Sequence, residues 1–381
     1  MNVNTVLTSM VSCLLLLAVT LQSAAAPIPA PPSVAATSYV LIDYASGQVL
    51  SEKDPNKRVE PASLAKIMTA YVAFSSIKDG FANLEDLVTI SERAWKMGGS
   101  RMFVEVGKKI RLQDLLKGMI VQSGNDASVA IAEHIAGTEE AFAEQMNAYA
   151  KHLGMNGTHY ANSTGWPNPD QYTTAKDLAI LTRALIRNFP EYYAWHSERE
   201  FSWNNIKQYN RNKLLWRDDS VDGVKTGHTE SAGYGLVASA KRKDMRLISV
   251  MLGTKSEAAR ARASQSQLNY GFRYYESRKL YRKGEKLSAV RVWKGETNTL
   301  PLGVNKDVHV VTPRGDYKKL RADLQIPGTI VAPVSKGEIL GTYRVTLDGK
   351  TLLEEPLIAL ATIREGSIFR RAVDSLRLMF E

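Results

Sequence analysis

Residues 60–66 of this 381-residue chain read Glu-Pro-Ala-Ser-Leu-Ala-Lys, with Ser63 and Lys66 three positions apart. Proline suits the first helical turn, so Pro61 predicts the start of a helix that runs to Phe74. Residues three apart lie on the same helical face. A serine becomes a good nucleophile when a neighbouring base takes its proton, and burial or a second cation can make a lysine that base. The stretch therefore predicts a nucleophile and its base at a helix start, where free N–H groups could bind an oxyanion.

This spacing is a weak signal alone, because Ser75-Ser76-Ile77-Lys78 repeats it. Two further triplets follow in order. Ser123-Gly124-Asn125 comes 60 residues after Ser63, in a predicted loop between helices, and Lys225-Thr226-Gly227 comes 102 residues later, before an apolar run. Ser202-Trp203-Asn204 also matches the middle triplet, whereas Lys-Thr-Gly occurs once. The ordered set is typical of serine β-lactamases and penicillin-binding proteins. The alternative is that Ser63 merely caps a helix and Lys225 merely ends a strand.

The sequence around these triplets resembles the low-molecular-weight D,D-carboxypeptidases of the penicillin-binding protein 5 type. The matching segments are Glu60–Lys66, Val121–Asp126, Thr158–Leu178 and Asp222–Tyr234, and the similarity continues into the C-terminal part. The resemblance implies an α+β fold: a β-lactamase/penicillin-binding-protein-like domain, with an antiparallel sheet and helices, then a small all-β domain and a C-terminal amphipathic helix. It also implies serine-type removal of the terminal D-Ala from peptidoglycan stem peptides, acylation by β-lactam antibiotics, and no cofactor.

The resemblance implies a role for each matching position. Ser63 would be the acylated nucleophile, Lys66 its general base, and Ser123 the group that relays the proton to the leaving amine. Asn125 would hold the substrate amide. Lys225 would lower the pKa of Lys66 and help to bind the substrate.

The other matching positions are also implied to bind the substrate. Thr226, Gly227 and His228 would line the edge strand of the site, and the N–H groups of the nucleophile and of His228 would form the oxyanion hole. Arg260 would meet the terminal carboxylate, for which a bidentate guanidinium is suited. Arg262 is close enough in sequence to be the alternative.

Other protein classes share these motifs. A serine β-lactamase usually has Ser-Asp-Asn as its middle triplet and a glutamate as deacylation base, whereas here Gly124 replaces the aspartate and residues 162–170 contain no glutamate. A D,D-transpeptidase or D,D-endopeptidase uses the same motifs and stays an open alternative. Outside the enzymes, the chain could be an inactive wall-binding protein, although the intact motif residues argue against this.

Local patterns predict two domains. Apolar runs at 39–43 and 247–252, with helical stretches between them, indicate one α+β catalytic domain over residues 38–276 that is closed by its own termini. The runs 236–240 and 247–252 flank a charged turn and predict a hairpin. From 277 to 363, short β-rich runs alternate with turn signals, which predicts a small all-β domain.

The N-terminus has the pattern of a secretory signal. The first 42 residues carry no charge, and an apolar run from Cys13 to Leu21 precedes small residues. We expect residues 1–25 to be a signal peptide and 26–37 a Pro/Ala-rich linker, although no Lys or Arg precedes the run. Cys13 is the only cysteine, so the mature chain is expected to have no disulfide and no thiolate site.

The C-terminus has the pattern of an amphipathic helix. In residues 364–381, apolar side chains recur at helical spacing, while Arg370, Arg371 and Arg377 supply a basic side. Such a helix can lie in a membrane interface; the alternative is a helix packed on its own domain. The resemblance implies a membrane-surface anchor. With the signal peptide, this predicts an exported protein held peripherally at the periplasmic face of the inner membrane.

Charge and histidine placement argue against other ligand classes. The formal net charge of +10 favours an anionic wall polymer or lipid surface, or reflects only a generally basic surface. No basic block interleaved with aromatic residues occurs, so nucleic acid is not an expected partner. The six histidines are scattered and form no zinc-peptidase signature, so no metal site is expected.

Overall fold

The computed structural model describes residues 28–326 and 328–380, so the predicted signal peptide at 1–25 lies outside the described residues. The strands are β1 Ser38–Asp43, β2 Val49–Lys53, β3 Leu87–Thr89, β4 Lys109–Arg111, β5 Glu200–Trp203, β6 Ile206–Tyr209, β7 Val221–Thr229, β8 Gly233–Arg242, β9 Met245–Thr254, β10 Tyr275–Tyr281, β11 Lys286–Trp293, β12 Thr299–Gly303, β13 Val308–Pro313, β14 Arg321–Gln325, β15 Ile330–Val331, β16 Ile339–Leu347 and β17 Lys350–Ala359. The α-helices are α1 Lys66–Lys78, α2 Glu92–Lys96, α3 Leu112–Val121, α4 Asn125–Ala136, α5 Glu139–Leu153, α6 Ala175–Asn188, α7 Pro190–Tyr193, α8 Glu257–Tyr274 and α9 Ile368–Leu378.

Five antiparallel strands form the central sheet in the order β2-β1-β9-β8-β7. Strand β1 pairs with β9, where Val40 lies opposite Val250, so strands from both ends of the predicted catalytic domain close one sheet. Strands β8 and β9 form the predicted hairpin, with Arg242 opposite Met245 at its turn. The predicted antiparallel α+β architecture is confirmed. Strand β7 lies at one edge of this sheet.

Helices cover both faces of the central sheet. Side chains alternate along a strand, so Val40 and Ile42 of β1 pack among the helices α1–α6, whereas Leu41 packs on the opposite face with Phe272 of α8. Helix α1 is buried on all sides from Lys66 to Ser75, which is typical of a helix in the centre of a domain. The sheet and α1 therefore form a fixed frame for the residues just before Lys66.

The start of this central helix differs from the prediction. The sequence predicted one helix from Pro61 to Phe74, but residues 62–65 form a 3₁₀ turn and α1 runs from Lys66 to Lys78. Ala62 has a φ of +48°, which a right-handed helix does not allow. The first hydrogen bond of the turn is therefore of the 3₁₀ type, and it runs from the Leu64 N–H to the Pro61 carbonyl at 3.1 Å. Ser63 lies in this turn, just ahead of the α-helix.

The C-terminal part is all-β, as predicted. A six-stranded sheet has the order β14-β16-β17-β12-β11-β15, and β10 pairs with β13. Its core includes Leu300, Leu302 and Leu357, each fully buried. Strand β10 begins immediately after α8 ends at Tyr274. Helix α9 follows the last strand.

Residues 28–37, within the predicted linker, contain no helix or strand. They nevertheless pack along α8: the Tyr270 hydroxyl donates to the Pro29 carbonyl at 3.1 Å, and the Gln267 amide donates to the Pro32 carbonyl at 3.2 Å. This part of the chain is therefore attached to the catalytic domain. In the described ranges, no helix is long and apolar enough to cross a membrane.

Candidate active site

A cleft of about 770 Å³ opens beside the edge strand β7. Seven of the nine residues singled out from the sequence line it: Ser63, Ser123, Asn125, Thr226, Gly227, His228 and Arg260. The other two, Lys66 and Lys225, lie beneath the lining, with exposed fractions of 1% and 4%. The fold therefore brings all nine together, while Arg262, the alternative to Arg260, is exposed and is absent from the cleft lining.

The Lys66 amine lies within reach of the Ser63 hydroxyl. Its Nζ is 3.2 Å from Ser63 Oγ, 2.7 Å from Asn125 Oδ1 and 2.5 Å from the Thr164 carbonyl oxygen. The amide and carbonyl oxygens can only accept hydrogen bonds, whereas the hydroxyl can also donate one. A neutral amine has two N–H groups for the two acceptors and one lone pair for the hydroxyl proton. This arrangement suits proton transfer from Ser63 to Lys66.

Both buried lysines have lowered pKa values. The pKa of Lys66 is lowered to about 7, chiefly by burial, with Asp126 and Glu139 opposing the shift and Arg211 adding to it. Burial, followed by repulsion from Lys66, holds the pKa of Lys225 well below its ordinary value. Because repulsion between two ammonium groups is mutual, the two lysines titrate as a pair. At least one amine is therefore available as a base near neutral pH.

Ser123 points a buried hydroxyl into the same region. Its Oγ has no hydrogen-bond partner among the described residues, and its φ of +70° places it in the uncommon left-handed region. Backbone strain and an unpaired buried polar atom both mark functional sites more often than ordinary loops. The hydroxyl is free to bond a ligand in the cleft.

The residues after Ser123 bind this loop to residues 98–103. Both Asp126 carboxylate oxygens accept backbone N–H groups, from Met102 at 2.8 Å and from Phe103 at 2.8 Å. Asn125 donates from Nδ2 to the Gly98 carbonyl at 2.7 Å while its Oδ1 binds Lys66. Asn125 is thus held at both ends of its amide. These bonds hold the segment that carries Ser123 in place.

Strand β7 forms the other wall of the cleft. It pairs only with β8 within the central sheet, so its second edge offers backbone N–H and C=O groups to an extended peptide. Thr226 and His228 alternate with Lys225 along the strand, and the His228 ring lies 3.9 Å from the Tyr234 ring. The wall can therefore bind a peptide through its backbone.

Two arginines line the cleft. Arg260, with an exposed fraction of 3%, donates to the Gly227 carbonyl at 3.0 Å and to the Gly235 carbonyl at 3.4 Å. Arg211 is exposed and lines the same cleft. No motif surrounds Arg211 in the sequence, so its place in this cleft follows from the fold alone. Both can receive an anionic group.

Gly165 lies directly against the nucleophile turn. It has a φ of +81°, and a Cβ there would lie 1.7 Å from the Ala62 carbonyl oxygen. Asn162 holds this loop, since its Oδ1 accepts the N–H groups of Gly165 at 2.8 Å and Trp166 at 3.1 Å. The position of Ser63 therefore depends on a loop 100 residues away in sequence.

Gly165→Ala is expected to slow acylation of Ser63 by at least about tenfold, because the Ala62–Ser63 backbone must move and a misplacement of about 1 Å can cost roughly 100-fold in rate. Gly154→Ala is the matched control, since Gly154 has a φ of +79° and open space at its Cβ. The control should lose only the roughly 1–2 kcal/mol of a left-handed alanine. The measurements are the β-lactam acylation rate and the Tm of both variants, and equal effects would contradict the argument.

Metal-ligating side chains are dispersed. No group of three or more His, Cys, Asp or Glu residues that could hold a metal ion occurs in residues 28–326 and 328–380.

Comparison with known proteins gives matches along nearly the whole chain. Residues 24–256 match the family described as D-alanyl-D-alanine carboxypeptidase, and residues 275–365 match the C-terminal domain of penicillin-binding protein 5. The D-alanyl-D-alanine carboxypeptidase DacA of Escherichia coli K12 is 42% identical over 361 residues, which cover 93% of this chain and 90% of the relative.

More distant relatives extend the same match. The D-alanyl-D-alanine carboxypeptidase DacF of Bacillus subtilis is 36% identical, with 85% of each chain covered. The crystal structure of penicillin-binding protein 5 from Haemophilus influenzae superposes with a TM-score of 0.86 at 40% identity, covering 88% of this chain and 100% of that one. Fold and sequence therefore agree on one group of relatives.

Proposed function

The chain belongs to the D-alanyl-D-alanine carboxypeptidase family, and we propose that it acts through an acyl-enzyme on Ser63. It is a serine-type hydrolase that removes the terminal D-Ala from peptidoglycan stem peptides. The observation that carries the proposed mechanism is the 3.2 Å distance between Lys66 Nζ and Ser63 Oγ, together with the two acceptor oxygens that occupy the other directions around the amine.

Acylation would proceed in two proton-balanced steps. Ser63 Oγ attacks the carbonyl carbon of the penultimate D-Ala as Lys66 takes the hydroxyl proton. The N–H groups of Ser63 and His228 stabilise the oxyanion. The amide C–N bond then breaks, and Ser123 passes a proton from Lys66 to the leaving amine. This leaves an ester on Ser63, neutral Lys66 and free D-Ala.

Deacylation would repeat these steps with water. Lys66 takes a proton from the water as the oxygen attacks the ester carbonyl, and the proton returns to Ser63 when the ester bond breaks. The products are the shortened peptide and the free enzyme. Before acylation, the substrate would lie along β7, Asn125 would hold its amide, and Arg260 or Arg211 would receive the terminal carboxylate.

β-Lactams would acylate the same serine, because their strained amide presents the same carbonyl to Ser63. A β-lactamase would need an efficient deacylation base, and residues 162–170 contain no glutamate; instead Asn162 caps the loop beside Gly165. We therefore propose a long-lived β-lactam adduct. A D,D-endopeptidase or transpeptidase activity would use the same residues and a longer acceptor site.

The test compares three reactions of the purified chain. Incubation with a D-Ala-D-Ala pentapeptide should release D-Ala much faster than the enzyme hydrolyses a β-lactam or cleaves a cross-linked dimer of stem peptides. Faster cleavage of the dimer would assign the chain to the endopeptidases, and rapid β-lactam hydrolysis would assign it to the β-lactamases.

We further propose that α9 binds a membrane surface. Its apolar side chains are largely exposed, including Ile368 at 81%, Phe369 at 85% and Leu376 at 61%, and Phe380, which follows the helix, is also exposed. Its polar side faces the β domain instead, where the buried Asp374 carboxylate accepts the Lys294 N–H at 2.8 Å. The alternative of a helix that buries its apolar face on its own domain thus loses its support.

Polar contacts between α9 and the β domain would determine which way the exposed apolar face of α9 points. Arg370 donates to the Glu296 carbonyl at 2.8 Å, and the Gly366 N–H donates to the Lys294 carbonyl at 2.8 Å. Together with Asp374, these bonds hold α9 on the turn at Lys294–Glu296. An exposed apolar face with arginines beside it suits the interface of an anionic membrane. With the predicted signal peptide, this supports peripheral attachment at the periplasmic face of the inner membrane.

Phe369→Glu should weaken binding to anionic vesicles by roughly tenfold or more, because it removes one buried aromatic side chain from the lipid contact. Phe81→Glu is the control, since Phe81 is an equally exposed phenylalanine, at 86%, in the catalytic domain. Truncation before Arg364 should abolish sedimentation with vesicles and preserve D-Ala release. If the truncated chain still sediments, or if both glutamate variants bind alike, α9 is not the anchor.

A further inference from the structure

A carboxylate just before the nucleophile turn is bonded to the tip of the β7–β8 hairpin. Glu60 Oε2 accepts hydrogen bonds from the hydroxyls of Thr229 at 3.1 Å and Ser231 at 2.7 Å. Thr229 ends β7, and its own Oγ1 accepts the Ala232 N–H at 3.0 Å. Glu60 therefore binds two residues of the hairpin tip, and Thr229 binds a third.

The two segments also touch next to this bond. A Cβ on Gly227 would lie 3.0 Å from Leu64 Cγ and 3.1 Å from the Pro61 carbonyl oxygen, so β7 runs in van der Waals contact with the nucleophile turn. Only a glycine permits this approach without displacing one segment. The turn and the strand are thus in contact at Gly227 and hydrogen-bonded at Glu60.

The nucleophile side of this bond is fixed. Val59, the residue before Glu60, exchanges two backbone hydrogen bonds with Thr173, each of 2.9 Å. Strand β7, in contrast, is an edge strand with a sheet neighbour on one side only. Glu60 therefore links the tip of an edge hairpin to a segment that is itself bonded to Thr173.

We propose that Glu60 is a positioning residue that sets the separation between the N–H groups of Ser63 and His228. The inference rests on the proposed function, in which these groups form the oxyanion hole. Oxyanion donors must lie within about 2.7–3.1 Å of the developing charge, so a small displacement of the hairpin matters. Glu60 acts through Thr229 and Ser231 and does not itself contact the substrate.

The test compares Glu60→Ala with Glu60→Gln, whose amide oxygen accepts the same hydrogen bonds. Glu60→Ala should lower the first-order acylation rate constant by about tenfold, less than the roughly 100- to 1,000-fold loss that follows removal of an oxyanion donor. The non-covalent dissociation constant for the β-lactam should not change. Glu60→Gln should retain most of the wild-type rate, and Glu52→Ala, at an exposed glutamate on β2, should be indistinguishable from wild type.

A spectroscopic readout separates positioning from mere stability. Hydrogen bonds to the ester oxygen lower its carbonyl stretching frequency, so isotope-edited infrared spectra of the acyl-enzyme should show a higher frequency in Glu60→Ala. If Glu60→Ala folds poorly, Ser231→Ala, which removes one hydroxyl from the exposed tip, should shift the band in the same direction by a smaller amount.

An unchanged rate and carbonyl frequency in Glu60→Ala would overturn the proposal. An equal loss in Glu60→Gln and Glu60→Ala would also overturn it, because the effect would then come from charge. These results are independent of the nucleophile assignment, which is tested separately by whether Ser63→Ala still forms the adduct.

Discussion

Ser63→Ala is expected to abolish labelling by a fluorescent penicillin and to reduce D-Ala release by at least about 10⁴-fold. No other hydroxyl in the cleft shares the contact with the Lys66 amine: Ser63 Oγ lies 3.2 Å from Nζ, whereas the Ser123 hydroxyl makes no hydrogen bond to any described residue. The methyl group of alanine fits the space of the serine side chain, so the variant should fold normally and bind β-lactams without covalent reaction.

Ser75→Ala is the control for this experiment, because Ser75 and Lys78 repeat the spacing of Ser63 and Lys66. The Ser75 hydroxyl instead accepts a hydrogen bond from the Tyr149 hydroxyl at 2.6 Å, on the far part of α1. Its replacement should cost some stability and leave labelling intact. Loss of labelling in Ser75→Ala alone would refute the assignment of the nucleophile.

Lys225→Met is expected to move the acidic limb of the acylation profile to higher pH and to lower the rate at pH 7 by about 100-fold. Lys66 must be neutral to accept the proton, and burial lowers its pKa to about 7, so the wild-type limb should lie near that pH. Removing a neighbouring cation raises the pKa of Lys66, because its ammonium form then meets less repulsion. The acidic limb of the profile should therefore move to higher pH.

Methionine has a volume close to that of lysine, so Lys66 stays buried and only the charge is lost. Lys225→Arg retains a cation and should keep the limb near its original place, even if the larger group slows the reaction. The measurement is the acylation rate of wild type and both variants from about pH 5 to 10. An equal reduction at every pH in Lys225→Met would show that Lys225 serves binding alone.

The sequence alone predicted the elements that local patterns determine. The apolar runs around residues 236–252 predicted the β8–β9 hairpin, and the strand at 39–43 correctly predicted a sheet closed by both ends of the domain. The ordered triplets predicted which side chains would meet. Each of these predictions rests on residues close together in sequence, or on the order in which such short segments follow one another.

Other features depend on contacts between distant segments and have no local signal. The carbonyl oxygen of Thr164 accepts a hydrogen bond from the Lys66 amine, although the two residues are 98 positions apart in sequence. Every residue has a backbone carbonyl, so residue type does not predict this contact. Arg211 enters the cleft only because the chain before β7 returns to it. The 3₁₀ turn at Ser63 follows from the positive φ of Ala62, which alanine does not suggest. The sequence gives no reason for an acidic Asp374 among the arginines of α9. The structure does, because the Asp374 carboxylate accepts the Lys294 N–H.

Acid-quenching a steady-state reaction with a D-Ala-D-Ala pentapeptide tests the acyl-enzyme most directly. The protein is digested, and the modified peptide is located by mass spectrometry, with Ser63→Ala treated in parallel. We expect an adduct equal to the substrate minus one D-Ala on the peptide that contains Ser63, and no adduct in the variant. An adduct on another residue, or continued D-Ala release by Ser63→Ala, would contradict the mechanism.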